Sequence, residues 1–309
     1  MNVEVLVPIL VTVIIAATPL LFAALGELVA ERAGVLNLGV EGMMLAGAVS
    51  GFAVTLATQS SVLGIIAAAL AGAAMALLFA ILTLSLLANQ VATGLALTIF
   101  GVGISSMIGA NYVGTPVDKL PKLYIEGLSD LPVIGPILFN HDALVYLGVA
   151  MTFVISFFLW RTRAGMILRA VGENHDASHG LGHHVIGVRY LAVMFGGLMA
   201  GLGGAYLSLA YTPMWIEQMT AGRGWIALAL VVFAAWRPFR VLIGAYLFGG
   251  VTILQLHAQG LGIFAVPAQV LSMLPYIATI LVLVLISAGP WKGRLQAPAC
   301  LGKPFHPTH

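Results

Sequence analysis

Cysteine is almost absent: Cys300 stands alone among 309 residues. One thiol permits neither an intrachain disulfide nor a Cys-based metal cluster. Charge is scarce too, at 8% of residues against 61% hydrophobic, where soluble domains carry about 25% charged residues. With a mean hydropathy of +1.06, the chain has too little polar surface to cover a water-soluble globule. No G-x-x-x-x-G-K-[ST] phosphate loop occurs, and the Gly302–Lys303 pair lacks the upstream glycine. Nucleotide hydrolysis by that route is therefore excluded. HEXXH is missing, and no Ser/His/Asp or paired-carboxylate arrangement stands out. The opening MNVEVLVPIL lacks the basic region of a cleaved signal peptide, so the first apolar run reads as a retained helix. A net charge of +2 is too small, in a lipid-embedded chain, to argue for nucleic acid. No catalytic residue, cofactor or metal is expected.

What the chain does have is apolar runs of spanning length, about 20 residues each. The alternation of a transmembrane barrel is missing. The expected fold is all-α: a single polytopic domain over 1–309, with about nine (eight to ten) transmembrane helices in contact with membrane lipids. The spans fall near 5–25, 42–58, 62–87, 91–109, 143–160, 189–211, 219–236, 239–257 and 271–288. Region 26–41 is neither a clean span nor a clean loop. A broken or re-entrant element there would bring the count to ten.

Between Arg161 and Arg189 the sequence turns polar, reading RTRAGMILRAVGENHDASHGLGHHVIGVR. With 161–188 in the cytoplasm, the same side holds Arg32, Arg161, Arg163, Arg169, Arg189, Arg237, Arg240, Lys292, Arg294 and Lys303. The other side holds Lys119, Lys122 and Arg223. Such a bias follows the positive-inside rule and puts the C-terminus in the cytoplasm, the acidic N-terminus outside. The longest external loop, 110–142, carries Pro116, Pro121, Pro132 and Pro136. It is either a cap on the external mouth or a solvated connection.

Four blocks resemble permease subunits of ATP-binding-cassette importers, closest to the nucleoside and simple-sugar branch, with branched-chain amino acid permeases as cousins. They are ERAGVLNLGVEGMMLAGA at 31–48, NQVATGLALTIFGVGIS at 89–105, the polar segment with the helix after it, and GRGWIALALVVFAAWRPFRVLIGAYLFGG at 222–250 followed by VPAQVLSMLPYIATILVLVL at 266–285. The resemblance implies that 161–188 is a cytoplasmic coupling segment, a knob docking on a separate ATPase. It implies a second permease subunit, identical or homologous, and an extracytoplasmic substrate-binding protein. The expected location is a bacterial-type inner membrane, crossed many times.

The knob has a local logic. Gly172 and Gly182 suit tight turns at its ends, and Asn174 or Asp176 suits the cap of a short helix. Ala177 and Ser178 are small enough for close approach by a partner, and Glu173 lies between the glycine and the cap. His175 stands where the resembling permeases often carry a proline. With His179, His183 and His184 it raises a metal reading, weakened by the lack of cysteine. Surface histidines, pH-sensitive or incidental, are the alternative.

Polar groups inside lipid tend to face a pathway or a partner. The candidates are Asn37, Glu41, Asn89, Gln90, Gln218, Trp225 and Gln255, of which Asn37, Glu41, Asn89, Gln90 and Trp225 are assigned to a substrate pathway. Asn37 and Glu41, four apart, share a face if their stretch is helical. They would then either hydrogen-bond ribose hydroxyls or a base edge, or satisfy backbone groups freed by a helix break. Trp225 would stack on a base or sugar face, or anchor at the interface. Gly197-x-x-x-Gly201 and Gly47-x-x-x-Gly51 suit close helix packing, within the subunit or across a dimer. The function expected is ATP-driven import of nucleosides or related simple sugars, with branched-chain amino acids as the alternative substrate. A secondary transporter or channel acting alone would need ion-coupling carboxylates and inverted repeats. The sequence shows no convincing repeat, and such a protein would have no use for the knob.

Overall fold

The computed structural model describes residues 3–260 and 297–306, with single positions at 270, 273, 277, 280 and 284. Among these residues the fold is all-helical: α1 (Val3–Arg32), α2 (Val40–Thr58), α3 (Ser61–Ala80), α4 (Gln90–Gly109), α5 (Ile134–Leu138), α6 (Ala143–Arg161), α7 (Arg163–Glu173), α8 (His175–Gly180), α9 (Val185–Tyr206), α10 (Arg223–Phe233) and α11 (Pro238–Gly260). One wide turn each extends α3 through Ser85 and α9 through Tyr211. Isolated bridges such as Val113 to Trp215 are the extent of strand-like pairing among the described residues.

Among the described residues, seven stretches are long and apolar enough to cross a membrane: Leu6–Arg32, Val40–Thr58, Ser61–Ser85, Gln90–Tyr112, Ala143–Arg161, Val185–Tyr211 and Pro238–His257. The expected count of about nine is not confirmed by these residues. The expected span at 271–288 lies outside the continuously described residues. The one at 219–236 is not a continuous helix: α10 has 11 residues, about 16 Å at 1.5 Å per residue, half of a hydrocarbon core of about 30 Å. Residues 212–222 before it are non-helical, and Gln218 (φ 53°), Ala221 (φ 47°) and Gly222 (φ 80°) all take left-handed conformations. A helix cannot run through such a sequence of turns. Region 26–41 resolves into two parts. α1 continues to Arg32, and the chain is non-helical from 33 to 39 before α2 begins.

Packing at the centre is made by absent side chains. A Cβ at Gly47 would stand 2.5 Å from the Gly201 Cα, one at Gly201 would overlap the Ala68 carbonyl oxygen, and one at Gly72 would overlap the Gly197 carbonyl oxygen. At Gly204 the clash would be with the Met44 carbonyl oxygen. α2, α3 and α9 therefore meet backbone to backbone, as close-packed helices in lipid do when small residues line their contact. The glycine pairs read from the sequence serve the interior of one subunit. Around this seam Phe22, Phe52, Phe79, Tyr206 and Phe248 fill the core.

The loop 110–142 packs onto the ends of the bundle. Val117 donates its N–H to the Pro213 carbonyl at 3.1 Å and Leu120 donates to Leu209 at 3.3 Å. Trp215, 2% exposed, lies against Gly109, where any Cβ would strike its indole. The fastened part is 113–120; residues 121–134 are largely exposed.

Candidate functional site

Two polar features occupy the apolar bundle: a break between α1 and α2, and the α7–α8 knob below it.

At the break, Glu41 sits in the first turn of α2 and joins it to the broken span. Its Oε1 accepts from the Thr220 hydroxyl at 2.6 Å and from the Gly222 N–H at 2.8 Å, and its Oε2 accepts from the Gly224 N–H at 2.6 Å. The two amides are orphan donors of the α10 N-terminus, and a carboxylate there also meets the positive end of the helix dipole. Asn37 lies ahead of α2 in the non-helical stretch, so the two do not share a helical face. Fully buried, Asn37 accepts the Gly39 N–H through Oδ1 at 2.9 Å and donates its own N–H to Glu27 Oε1 at 3.0 Å. Gln90, 5% exposed, accepts the Leu36 N–H at 2.9 Å. Asn89, exposed, caps α4 by accepting the Ala92 N–H at 3.0 Å. Trp225 is half-buried on α10, beside Gly224. Asn37 and Gln90 thus hold backbone donors within the α1–α2 break, and Glu41, just after it, holds those of the α10 N-terminus. Asn89 stands at the rim.

Two carboxylates that sequence reading passed over stand next to this group. Glu27 and Glu31, one turn apart on α1, are each 1% exposed. Glu31 Oε2 accepts the Trp236 indole N–H, while Glu27 Oε2 has no hydrogen-bond partner among the described residues. Arg32 donates from Nε and Nη2 to the Trp236 carbonyl at 3.2 and 3.1 Å. Ala235 (φ 50°) and Trp236 (φ 54°) form a strained left-handed turn between α10 and α11, and α1 clamps it from two sides. The signal available in the sequence was this acidic pair, Glu27 and the Glu31 that opens the 31–48 block, inside a region read as neither a clean span nor a clean loop.

In the knob, Asn174 is the cap: its Oδ1 accepts the Ala177 N–H at 2.9 Å. Gly182 (φ 85°) supplies the left-handed turn that ends α8. Gly172 does not turn the chain. It lies within α7, pressed so closely on Arg32 that a Cβ would overlap the Arg32 carbonyl. Glu173 and Ala177 are exposed, whereas Ser178 is buried and donates to the Asn174 carbonyl at 2.8 Å. The histidines have separate employments. His184 Nδ1 accepts the Gly187 N–H at 3.1 Å, His179 meets the Phe305 ring, and His175 Nδ1 lies 3.0 Å from Arg189 Nη2. Burial, with the Arg189 guanidinium beside it, holds His175 below its ordinary pKa. No group of three or more potential metal ligands occurs among the described residues.

The family described as branched-chain amino acid transport system / permease component matches residues 9–285. A Haloferax volcanii protein named as a glucose ABC transporter permease, TsgC13, is 43% identical over 93% of this chain and 93% of its own length. The guanosine ABC transporter permease protein NupQ of Bacillus subtilis is 34% identical over 98% of both chains. A second guanosine permease protein of that organism, NupP, is 25% identical over 76% of this chain and 70% of its own. No solved structure matches. On this family match, these chain-long relatives and the seven apolar helices, the protein is a multi-pass membrane protein belonging to the permease-component family of the branched-chain amino acid transport system type.

Proposed function

We propose that this chain is one of two permease subunits of an ATP-driven importer for nucleosides, purine nucleosides foremost. The observation that carries the reading is the likeness along 98% of the chain to a protein named for guanosine. The 43% relative named for glucose favours a second reading, simple sugars, and both substrates present hydroxyls to the same kind of polar break. Branched-chain amino acids come third. The second permease is a different chain: guanosine permeases of one organism match at 34% and at 25%, so two unlike subunits share this ancestry and the present chain takes the place of the first.

Supporting the division of labour, the chain carries no phosphate loop, and α7–α8 present Glu173 and Ala177 outward. An ATPase subunit docks there, on the cytoplasmic side, and an extracytoplasmic binding protein delivers substrate at the 110–142 loop. The tail at 297–306 packs on the knob, which favours a cytoplasmic C-terminus. Substrate passes along the break, with Asn89 at its edge and Trp225 beside it, while Asn37, Glu41 and Gln90 hold the backbone that shapes it. Uptake of labelled guanosine, adenosine, glucose and leucine should be compared in cells with and without the gene. Loss of nucleoside uptake is expected; loss of leucine uptake alone would overturn the proposal, and loss of glucose uptake alone would install the second reading.

A further inference from the structure

The C-terminal residues 297–306 form a strap across the knob. Cys300 donates its N–H to the Gly172 carbonyl at 2.9 Å, and Gly302 donates to the Gly34 carbonyl at 3.1 Å. Cys300 Sγ reaches the Glu173 carbonyl at 3.4 Å. Phe305, 5% exposed, packs with Val171 and Val185, and its ring lies 5.2 Å from that of His175.

Under the strap is Arg189, 1% exposed. Its Nε donates to the Ala33 carbonyl at 3.1 Å, its Nη1 to the Lys303 carbonyl at 3.1 Å, and its Nη2 to His175 Nδ1 at 3.0 Å. One planar guanidinium therefore joins the knob, the strap and the start of the α1–α2 break. A guanidinium holds its donors in a rigid fork, so its three partners have a fixed mutual geometry. Ala33 is four residues before Asn37, in the stretch that leads to Glu41 and from there to the α10 N-terminus. A displaced α8 must carry His175 with it. His175 pulls on Arg189, and Arg189 pulls on the backbone of the break.

We infer that Arg189 and the 297–306 strap are the transmission element of the transporter: they make the knob and the α1–α2 break one rigid body, so that motion imposed at α8 reaches the pathway. Arg189 is a positioning residue, touching neither substrate nor nucleotide. The inference rests on the proposal that 161–188 docks an ATPase.

The test uses the whole complex, co-expressed and reconstituted in liposomes, with Arg189→Lys and a deletion of 297–309. Three quantities are read: ATPase co-purification, ATP hydrolysis, and substrate moved per ATP. Both variants should keep docking and hydrolysis within about twofold while transport per ATP falls at least tenfold, with Arg189→Lys less affected than Arg189→Met because it keeps one donor. Unchanged transport per ATP in either Arg189→Lys or the deletion would overturn the inference. So would loss of the folded complex in both, since the contacts would then serve folding alone. Ala177→Glu, an exposed change on the knob, separates the two levels: it should abolish docking, and undiminished docking there would refute the ATPase site itself, whatever Arg189 does.

Discussion

Replacing Glu41 with alanine should release the N-terminal end of α10. The side chain is 7% exposed and takes three donors, the Thr220 hydroxyl and the Gly222 and Gly224 amides. Each buried donor left without a partner costs about 1–3 kcal/mol. Gly224 is buried, Gly222 is partly exposed, and the Thr220 hydroxyl can rotate toward other acceptors, so the two amides set the figure at about 3 kcal/mol. That is roughly a hundredfold in the population of the released state. Glu41→Gln keeps one oxygen acceptor but turns an NH₂ toward one of its former donors, so its effect should fall between wild type and alanine. Hydrogen–deuterium exchange in lipid nanodiscs, followed on peptides covering 218–228, reads the release directly. Exchange in Glu41→Ala as slow as in wild type would refute the reasoning. Unchanged exchange with uptake abolished would instead give the carboxylate to the substrate.

Two further outcomes follow from the packing and from His175. Gly201→Ala drives a Cβ into the Ala68 carbonyl, and because backbone cannot step aside, about 1–3 kcal/mol of strain should lower folded yield on size exclusion. Gly103→Ala, with open space around it, should not, and equal yields would argue against the seam. His175 titrates below its ordinary value through burial and Arg189, so its stabilising contact is complete above about pH 6.5 and is lost as pH falls through the lowered value. Protonation would put a cation against Arg189 and Lys303, with Asp176 as the opposing charge. Exchange in 297–306, corrected for the intrinsic rate, should rise on acidification in wild type and not in His175→Gln; equal profiles would refute the assignment.

Much of the fold was legible because lipid makes hydropathy a direct reading of helices. The spans at 42–58, 62–87, 91–109, 143–160 and 239–257 lie on α2, α3, α4, α6 and α11. Within 161–188 the Asn174 cap and the Gly182 turn were legible as well, whereas the turn expected at Gly172 is helix. What failed was non-local. A hydropathy window over 219–236 registers its apolar content, not that residues 219–222 are turned and fastened by Glu41, nearly 180 residues earlier in the chain, nor that the helix stops at Phe233. Spacing would have put Asn37 and Glu41 on one face had their stretch been helical, but the chain between them is partly unwound and each satisfies a different backbone segment. Arg189 counted as a cytoplasmic charge and is in fact buried, because its three acceptors come from segments far apart in sequence.

The glycine seam also limits how this molecule can move. Where side chains interdigitate, one helix can slip past another by switching rotamers, a few tenths of an ångström at a time. Backbone pressed on backbone offers no such intermediate, since rotating α9 against α3 would sweep Leu198 or Ala200, its neighbours on the helix, toward the space that Gly197 and Gly201 keep clear. α2, α3 and α9 therefore act as a chassis, carried intact through the transport cycle. The half-helix α10 is tied to it at one end, where a Cβ at Gly224 would come within 2.6 Å of the Glu41 Cα and N and the Glu41 carboxylate holds the Gly222 and Gly224 amides.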